Sequence, residues 1–557
     1  MTVRPAPRRR IAAIAAAICL LAFIYRFNAL SGAGGGFDDQ HFLYLVHAKE
    51  VLAGGQPLRD FLDAGLQGAR PSLSYELPAL AQRVLGADLR SEAVLTVGGV
   101  AIAAAATAAA ASRLTAWPWA MVATVLSIWI SPKLYSYPKV LALSVMAWLV
   151  VEYALRPAWR GVLMMAAWTA IAFLFRHDLA VYCGIAGAIV IALAHGSRVM
   201  TTAGRGLAYA AVTAVLLAPS VWWIERYAGV AEYLRNAMEM SAREADRTDI
   251  LWPVPSFDGV ATVAAAFAVE ANTEAWLYYV FLAIPVITVA SVAIGWRRQR
   301  RLDAADPALL ALAVMTLMLS FVYLRGSLEA RFGDMAPPVA VLGAVLLARG
   351  LGVGAAVGVR APLRRAAAGA VTLVVLAVTG ASIWHLQSVG TELAITGLSA
   401  SPVAVVRRSL HVSSELSRLP AAVWAEPGDR RTQIAVQYLN RCTAPSDRVL
   451  MLAFAPDVLA FADRRFAGGR WSFIPGFYMD ERYSTYAIQR LEAERVPLAL
   501  AEPEGFYEEF PGLATYVRDR FAEVGTLTLD GDRTLRILAD RNRRWHPYGP
   551  AGWPCFT

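Results

Sequence analysis

A run of about 20 apolar residues recurs along the first two thirds of this chain. A helix of that length crosses a hydrocarbon core of roughly 30 Å, and it satisfies its own backbone amides where no water is present to do so. About eleven such runs are legible, at roughly 11–31, 92–111, 117–131, 138–155, 161–175, 179–195, 206–221, 275–295, 306–323, 335–350 and 366–384. The 557 residues are 57% hydrophobic and only 17% charged, with a mean hydropathy of +0.46. Soluble domains carry about a quarter charged residues, so the chain reads as an α-helical polytopic membrane protein.

The arginines test that reading. Arg8, Arg9 and Arg10 precede the first run, Arg113 follows the second, and Arg156 and Arg160 follow the fourth. Arg198 and Arg205 follow the sixth, "WRRQRR" at 296–301 follows the eighth, and Arg360, Arg364 and Arg365 precede the eleventh. An odd–even count puts all of these on one side, the cytoplasmic side by the positive-inside rule. The net charge of +9 is therefore topological and points to no nucleic acid. The first run is long for a signal peptide and lacks a small-x-small cleavage site, so it reads as an uncleaved anchor with the N-terminus in the cytoplasm.

Three segments are then expected on the far side: 32–91, about 222–274, and everything after about 385. The first contains "DQHFLYLVHAKEVLAGG", with Phe42, Leu45, Val46 and Leu52 on one stripe, and "PSLSYELPALAQRVLG". Both read as amphipathic helices along the membrane surface. The tail changes character. "DRVLMLAF" at 447–454 reads as a buried strand, "STYAIQRLEAER" at 484–495 as a helix, and "GTLTLDGDRTLRIL" at 525–538 as two strands about an Asp–Gly turn. The expected division is a transmembrane domain over 1–384, including the outer loop 32–91, and a linker with a small soluble α/β domain over 385–557. Cys442 and Cys555 bracket that outer domain, and an oxidising compartment would allow them to pair. No CxxC or HExxH spacing signals zinc.

Chemistry-bearing residues gather at the outer ends of the runs. Asp38 and Asp39 stand side by side after the first; one of them can cap the helix that follows, but a cap does not need two acids. Adjacent carboxylates repel, which raises one pKa or places a cation or a substrate hydroxyl between them. "SPKLYSYPKV" supplies Lys133 and Lys139, "FLFRHDLAVY" supplies Arg176, His177 and Asp178, and "YLRGSLEARFGDMAPP" supplies Arg325, Glu329, Arg331 and Asp334. Cations on the outer side run against the positive-inside bias and need another reason to be there. Arg as a bidentate fork and Lys as a point charge suit a phosphate held at the bilayer edge, so the inferred ligand is an anionic lipid headgroup.

The order of first span, outer acidic pair, surface helix, "GGQPLRDF", second surface helix, many spans and an outer C-terminal domain resembles the GT-C superfamily of integral membrane glycosyltransferases. The nearest groups are the protein O-mannosyltransferases, lipid A aminoarabinose transferases and arabinofuranosyltransferases. Their first outer loop carries an Asp–Glu or Asp–Asp pair and often a "G-x-x-P-Y-x-D-F" type segment; here Leu58 replaces the aromatic residue. The resemblance implies a GT-C-like fold with about eleven transmembrane helices, located in a bacterial inner membrane with the C-terminal domain outside. It implies transfer from a polyprenyl-phosphate sugar to a hydroxyl of a cell-envelope glycan, lipid or protein, with inversion. Asp38 would act as general base, and Asp39 would orient it, bind the acceptor or share a divalent cation. Lys133, Lys139, Arg176, Arg331 and, in second place, His177 would hold the donor phosphate. Asp60, Asp63, Arg70 and Glu76 are weaker candidates for acceptor contact. No motif calls for a cofactor; a divalent cation, Mg2+ or Mn2+, would sit at Asp38 and Asp39 if one takes part. The competing class is a polytopic transporter or lipid-linked sugar flippase, which would favour internal repeats and mid-span charges over charges at span ends.

Overall fold

A computed structural model of the chain describes residues 8–30, 37, 39–62, 73–130, 132–196, 198–246, 252–258, 262–266, 269–322, 324, 328–351, 362–417, 430–473, 481–503, 510–529 and 533–557. Among these, eight helices are long and apolar enough to cross a membrane: Arg9–Ala29, Leu89–Leu114, Leu134–Leu155, His177–Ala194, Val199–Tyr227, Glu270–Gln299, Glu329–Gly350 and Ala366–Leu386. Three shorter apolar helices, Trp117–Trp129, Trp159–Phe175 and Asp306–Val322, complete the set. Every one of the eleven runs read from the sequence falls on one of them.

The chain divides into two compact units. One comprises Met1–Ala29, Thr96–Pro219 and Thr248–Ser409. Small side chains pack closely here: Ala101, Ala104 and Ala108 lie against Ile18 and Ala22 of the first helix. Without a hydrophobic drive between helices in lipid, close approach of small residues is what generates contact. Several buried hydroxyls are satisfied inside their own helices, as Thr107 donates to the Ala103 carbonyl at 2.9 Å and Thr316 to Leu312 at 2.7 Å. Elsewhere apolar side chains face outward, with Leu207 at 73% exposure and Val371 at 63%. In water each such side chain would forgo about 1.5–3 kcal/mol of burial. Against lipid nothing is lost, and the protein is a multi-pass membrane protein.

The other unit comprises Leu30–Leu95, Ser220–Arg247 and Leu410–Thr557. Its centre is a five-stranded sheet of β1 (Arg448–Leu452), β2 (Arg465–Phe466), β3 (Leu498–Ala501), β4 (Phe521–Thr528) and β5 (Thr534–Asp540), in the order β2-β1-β3-β5-β4. The pairs β1–β2 and β1–β3 are parallel, and β3–β5 and β4–β5 antiparallel. "RVLML" and "LALA" are almost wholly apolar because strands covered on both faces need no polar alternation. Leu450, Leu452, Phe473, Phe510 and Leu513 share one core beneath them. The expected strand, helix and strand pair of the tail thus appear as β1, Glu481–Ala493 and β4–β5; the Asp–Gly turn lies outside the described residues. A hairpin of β6 (His546–Tyr548) and β7 (Trp553–Cys555) follows, and a disulfide joins Cys555 to Cys442.

The helix Asp39–Leu52 belongs to this second unit and differs from its expected place on a membrane surface. Leu43, Val46, His47, Ala48 and Glu50 are all at or below 2% exposure. Lys49 and Glu50 find partners in the tail and His41 in Glu92, so both faces can be buried. Leu73–Leu85 keeps the open apolar face expected of it, with Val84 70% exposed.

Candidate active site

Asp38 lies outside the described residues. Asp39 is the first residue of the helix Asp39–Leu52, where a carboxylate is favoured by the partial positive charge of the helix end, although its side chain is likewise outside the description. The helix is held along its whole length. In its first turn His41 Nε2 meets Glu92 Oε1 at 2.9 Å, with both side chains 1% exposed. His47 stacks on Tyr75 and packs against Phe61 and Phe466, and its Nδ1 donates to the Leu43 carbonyl at 2.7 Å. Burial pushes its pKa down to about 4. Lys49 reaches Asp463 at 2.8 Å and the Ala460 carbonyl; burial lowers the Lys49 pKa, and Lys49 in turn holds the Asp463 carboxyl below its usual range. Glu50 accepts from Arg448 at 2.9 and 3.2 Å and from Arg465 Nε at 3.0 Å.

"GGQPLRDF" is a compact turn rather than an open loop. Leu58 has a φ of +68°, its N–H donates to the Phe61 carbonyl at 2.7 Å, and Asp60 N–H donates to Gln56 at 2.9 Å. The Asp60 carboxylate accepts from Gln56 N–H at 2.8 Å and from Arg59 at 2.6 and 2.9 Å. Burial acts against its charge, yet Arg59 and that N–H outweigh it and leave the carboxyl below its ordinary pKa. The turn delivers Phe61, 1% exposed, onto His47 and ends as Leu62 N–H donates to Gly469 at 2.9 Å. Asp60 thus closes the turn, Glu76 is exposed on Leu73–Leu85, and Asp63 and Arg70 lie outside the described residues.

The cations belong to the other unit, where three of them converge. Lys139 donates to Asp334 at 2.6 Å and to Ser136 at 3.3 Å, with both members of the ion pair nearly sealed from solvent. Arg176, the single extended residue between Trp159–Phe175 and His177–Ala194, grips Asp178 with two bonds of 2.9 and 2.6 Å. Arg176 and Arg331 both lie close enough for their charges to act on Lys139. Three cations, Lys139, Arg176 and Arg331, and two carboxylates, Asp178 and Asp334, thus lie together among the described residues. Lys133 is exposed nearby in sequence, 5.8 Å from the Tyr135 ring centroid. His177 lies edge-on to Phe173 at 4.7 Å.

Backbone contact explains the convergence. Arg26 of the first helix donates to the Pro132 carbonyl at 2.9 Å. A Cβ on Gly333 would lie 2.5 Å from Pro132 Cα, so glycine is what lets the helix bearing Arg331 and Asp334 reach the segment bearing Lys133 and Lys139. Sequence reasoning named the cations but missed Asp334 and Asp178 as their partners, and missed His41–Glu92 and Glu50 altogether. The available signal was charge inside otherwise apolar helix faces.

No family model and no curated protein sequence matches the chain. A solved structure does: ArnT from Cupriavidus metallidurans bound to undecaprenyl phosphate aligns at a TM-score of 0.50 and 12% identity, over 95% of this chain and 98% of that one. The fold is GT-C-like. The same protein in its apo state aligns at 0.48 and 12% identity over 94% and 97% of the two chains. An oligosaccharyltransferase of Archaeoglobus fulgidus in complex with zinc and sulfate gives 0.42 and 12%, over 98% of this chain and 73% of that one. Among the described residues of this GT-C-like chain, no three His, Cys, Asp or Glu side chains converge as a metal site would require. The side chains of Asp38 and Asp39, where the sequence would put Mg2+ or Mn2+, both lie outside the described residues.

Proposed function

We propose that the protein is a membrane glycosyltransferase that moves a sugar from a polyprenyl-phosphate-linked donor to a hydroxyl of a cell-envelope glycan, lipid or protein. The observation that carries this is the convergence of three cations, Lys139, Arg176 and Arg331. Undecaprenyl phosphate is the ligand bound to ArnT, whose fold this chain shares. A phosphate leaving group needs such charge, because negative charge develops on its bridging oxygen as the glycosidic bond breaks.

In this reading Asp38 removes the acceptor hydroxyl proton while the oxygen attacks the anomeric carbon from the face opposite the phosphate. The bonding pair departs with the phosphate and the configuration inverts. Asp39 orients the base or the acceptor. Arg331 and Lys133 take the phosphate oxygens directly; Lys139 and Arg176, already tied to carboxylates, set the field around them, with His177 in second place. Asp60, Asp63, Arg70 and Glu76 remain weak acceptor candidates, and a divalent cation, Mg2+ or Mn2+, would sit at Asp38 and Asp39 if one takes part. The acidic pair, the cations and the 385–557 region face the outside of a bacterial inner membrane, with the N-terminus inside. The disulfide Cys442–Cys555 supports that side, since such bonds persist in oxidising compartments.

The test is transfer from a radiolabelled undecaprenyl-phosphate sugar in membranes carrying equal amounts of each variant. Loss of a general base lowers turnover by about 10²–10⁴-fold, and that is expected of Asp38→Asn. If Asp38→Asn and Asp39→Asn both transfer at the wild-type rate, the site is wrong.

A further inference from the structure

A cavity of about 470 Å³ opens along the helix Asp39–Leu52, within the size range of small-molecule sites. One helix face, Phe42, Leu45, Lys49 and Leu52, forms its floor. Phe461 stands over Phe42 with ring centroids 4.9 Å apart and planes at 58°. Around these rings lie Gln82, buried at 7% exposure, and four charged side chains, Lys49, Arg465, Asp88 and Asp463.

The mixture restricts the occupant. Two cations and two carboxylates cancel, so the groove offers no surplus charge to a phosphate or another anion. An acyl chain would cover apolar rings but would also strip water from those charges without replacing its hydrogen bonds. A neutral ring with one C–H face and a rim of hydroxyls meets both demands, because each hydroxyl donates to a carboxylate or accepts from a guanidinium, an ammonium or an amide. We infer that this groove binds an uncharged sugar ring and is the acceptor-recognition subsite of the protein. Phe42 is three residues from Asp39, a rise of about 4.5 Å, so a ring held at that end lies within one helical turn of the Asp39 backbone. The word acceptor rests on the transferase reading above; sugar binding itself does not.

Ala53 and Ala87 line the groove and are exposed, so Ala53→Trp and Ala87→Trp fill it without touching the core. Ala551, exposed between β6 and β7 and outside the groove, provides the control Ala551→Trp. The full chain in lipid nanodiscs is probed by saturation-transfer NMR with the methyl glycosides of D-glucose, D-galactose, D-mannose, N-acetyl-D-glucosamine and D-arabinofuranose, with no donor present. At least one glycoside is expected to give a transfer signal that falls about fivefold or more in both plugged variants and persists in the control. Absence of binding by all five, persistence of the signal in either plugged variant, or its displacement by decanoate overturns the inference. Because no turnover is read, such a failure leaves the transferase reading standing, and an inactive Asp38→Asn protein leaves this test unaffected.

Discussion

His47 has no exposed surface and no second polar partner for its Nε2 among the described residues, so the fold holds it neutral. Its pKa falls from the ordinary 6.5 to about 4. Between those values the unfolded chain binds a proton that the folded chain refuses, and stability must drop as pH falls through that window. The full shift corresponds to about 3 kcal/mol, reached near pH 4 and absent above pH 6.5. The apparent melting temperature of His47→Phe is therefore expected to decline less steeply than that of the wild type from pH 6.5 to 4; identical slopes would show that His47 is not the group responsible. The histidine was visible in the sequence, but its box was not. Phe61 and Tyr75 lie within 30 residues of it, whereas Phe466 is more than 400 away, and no local periodicity connects them.

Helices read from hydrophobic period alone were located well, and their surroundings poorly. Asp39–Leu52 shows why. Phe42, Leu45, Val46 and Leu52 form the apolar stripe of a surface helix, but Glu50 on another face carries two arginines of the sheet, so the helix is buried on both sides. Distant partners of that kind leave no trace in spacing. Glycine 333 belongs to the same scale. With backbone atoms of Pro132 at 2.5 and 2.6 Å from where a Cβ would stand, Gly333→Ala must push one segment away from the other. Such overpacking typically costs about 1–3 kcal/mol. Here it would also separate Arg331 from Lys139, so transfer in membranes should fall more than the small loss of thermal stability explains. Wild-type turnover with a lowered melting temperature would mean that the spacing of the cations is unimportant.

At the scale of the molecule, eleven apolar helices were legible because hydropathy is a local property and lipid-facing positions demand only that a residue be apolar. The same tolerance explains why the fold of ArnT persists at 12% identity while no family model matches. Helix ends were less legible: Val199–Tyr227 and Glu270–Gln299, at 29 and 30 residues, extend past the hydrocarbon thickness into polar sequence that hydropathy discards. A disulfide cross-links the second unit. Closing a loop over 113 residues stabilises by about 4–5 kcal/mol on the chain-entropy model. Cys442→Ser with Cys555→Ser should accordingly melt earlier than the wild type under non-reducing conditions and match reduced wild type; a double variant as stable as the oxidised protein would rule out that contribution. The bond also sets a schedule for biogenesis. At about 5–20 residues per second, Cys442 emerges roughly 6–23 s before its partner exists, and for that interval it is a thiol without its native partner. Correct assembly of the second unit then depends on Cys442 staying unpaired, or being returned to that state, until Cys555 arrives.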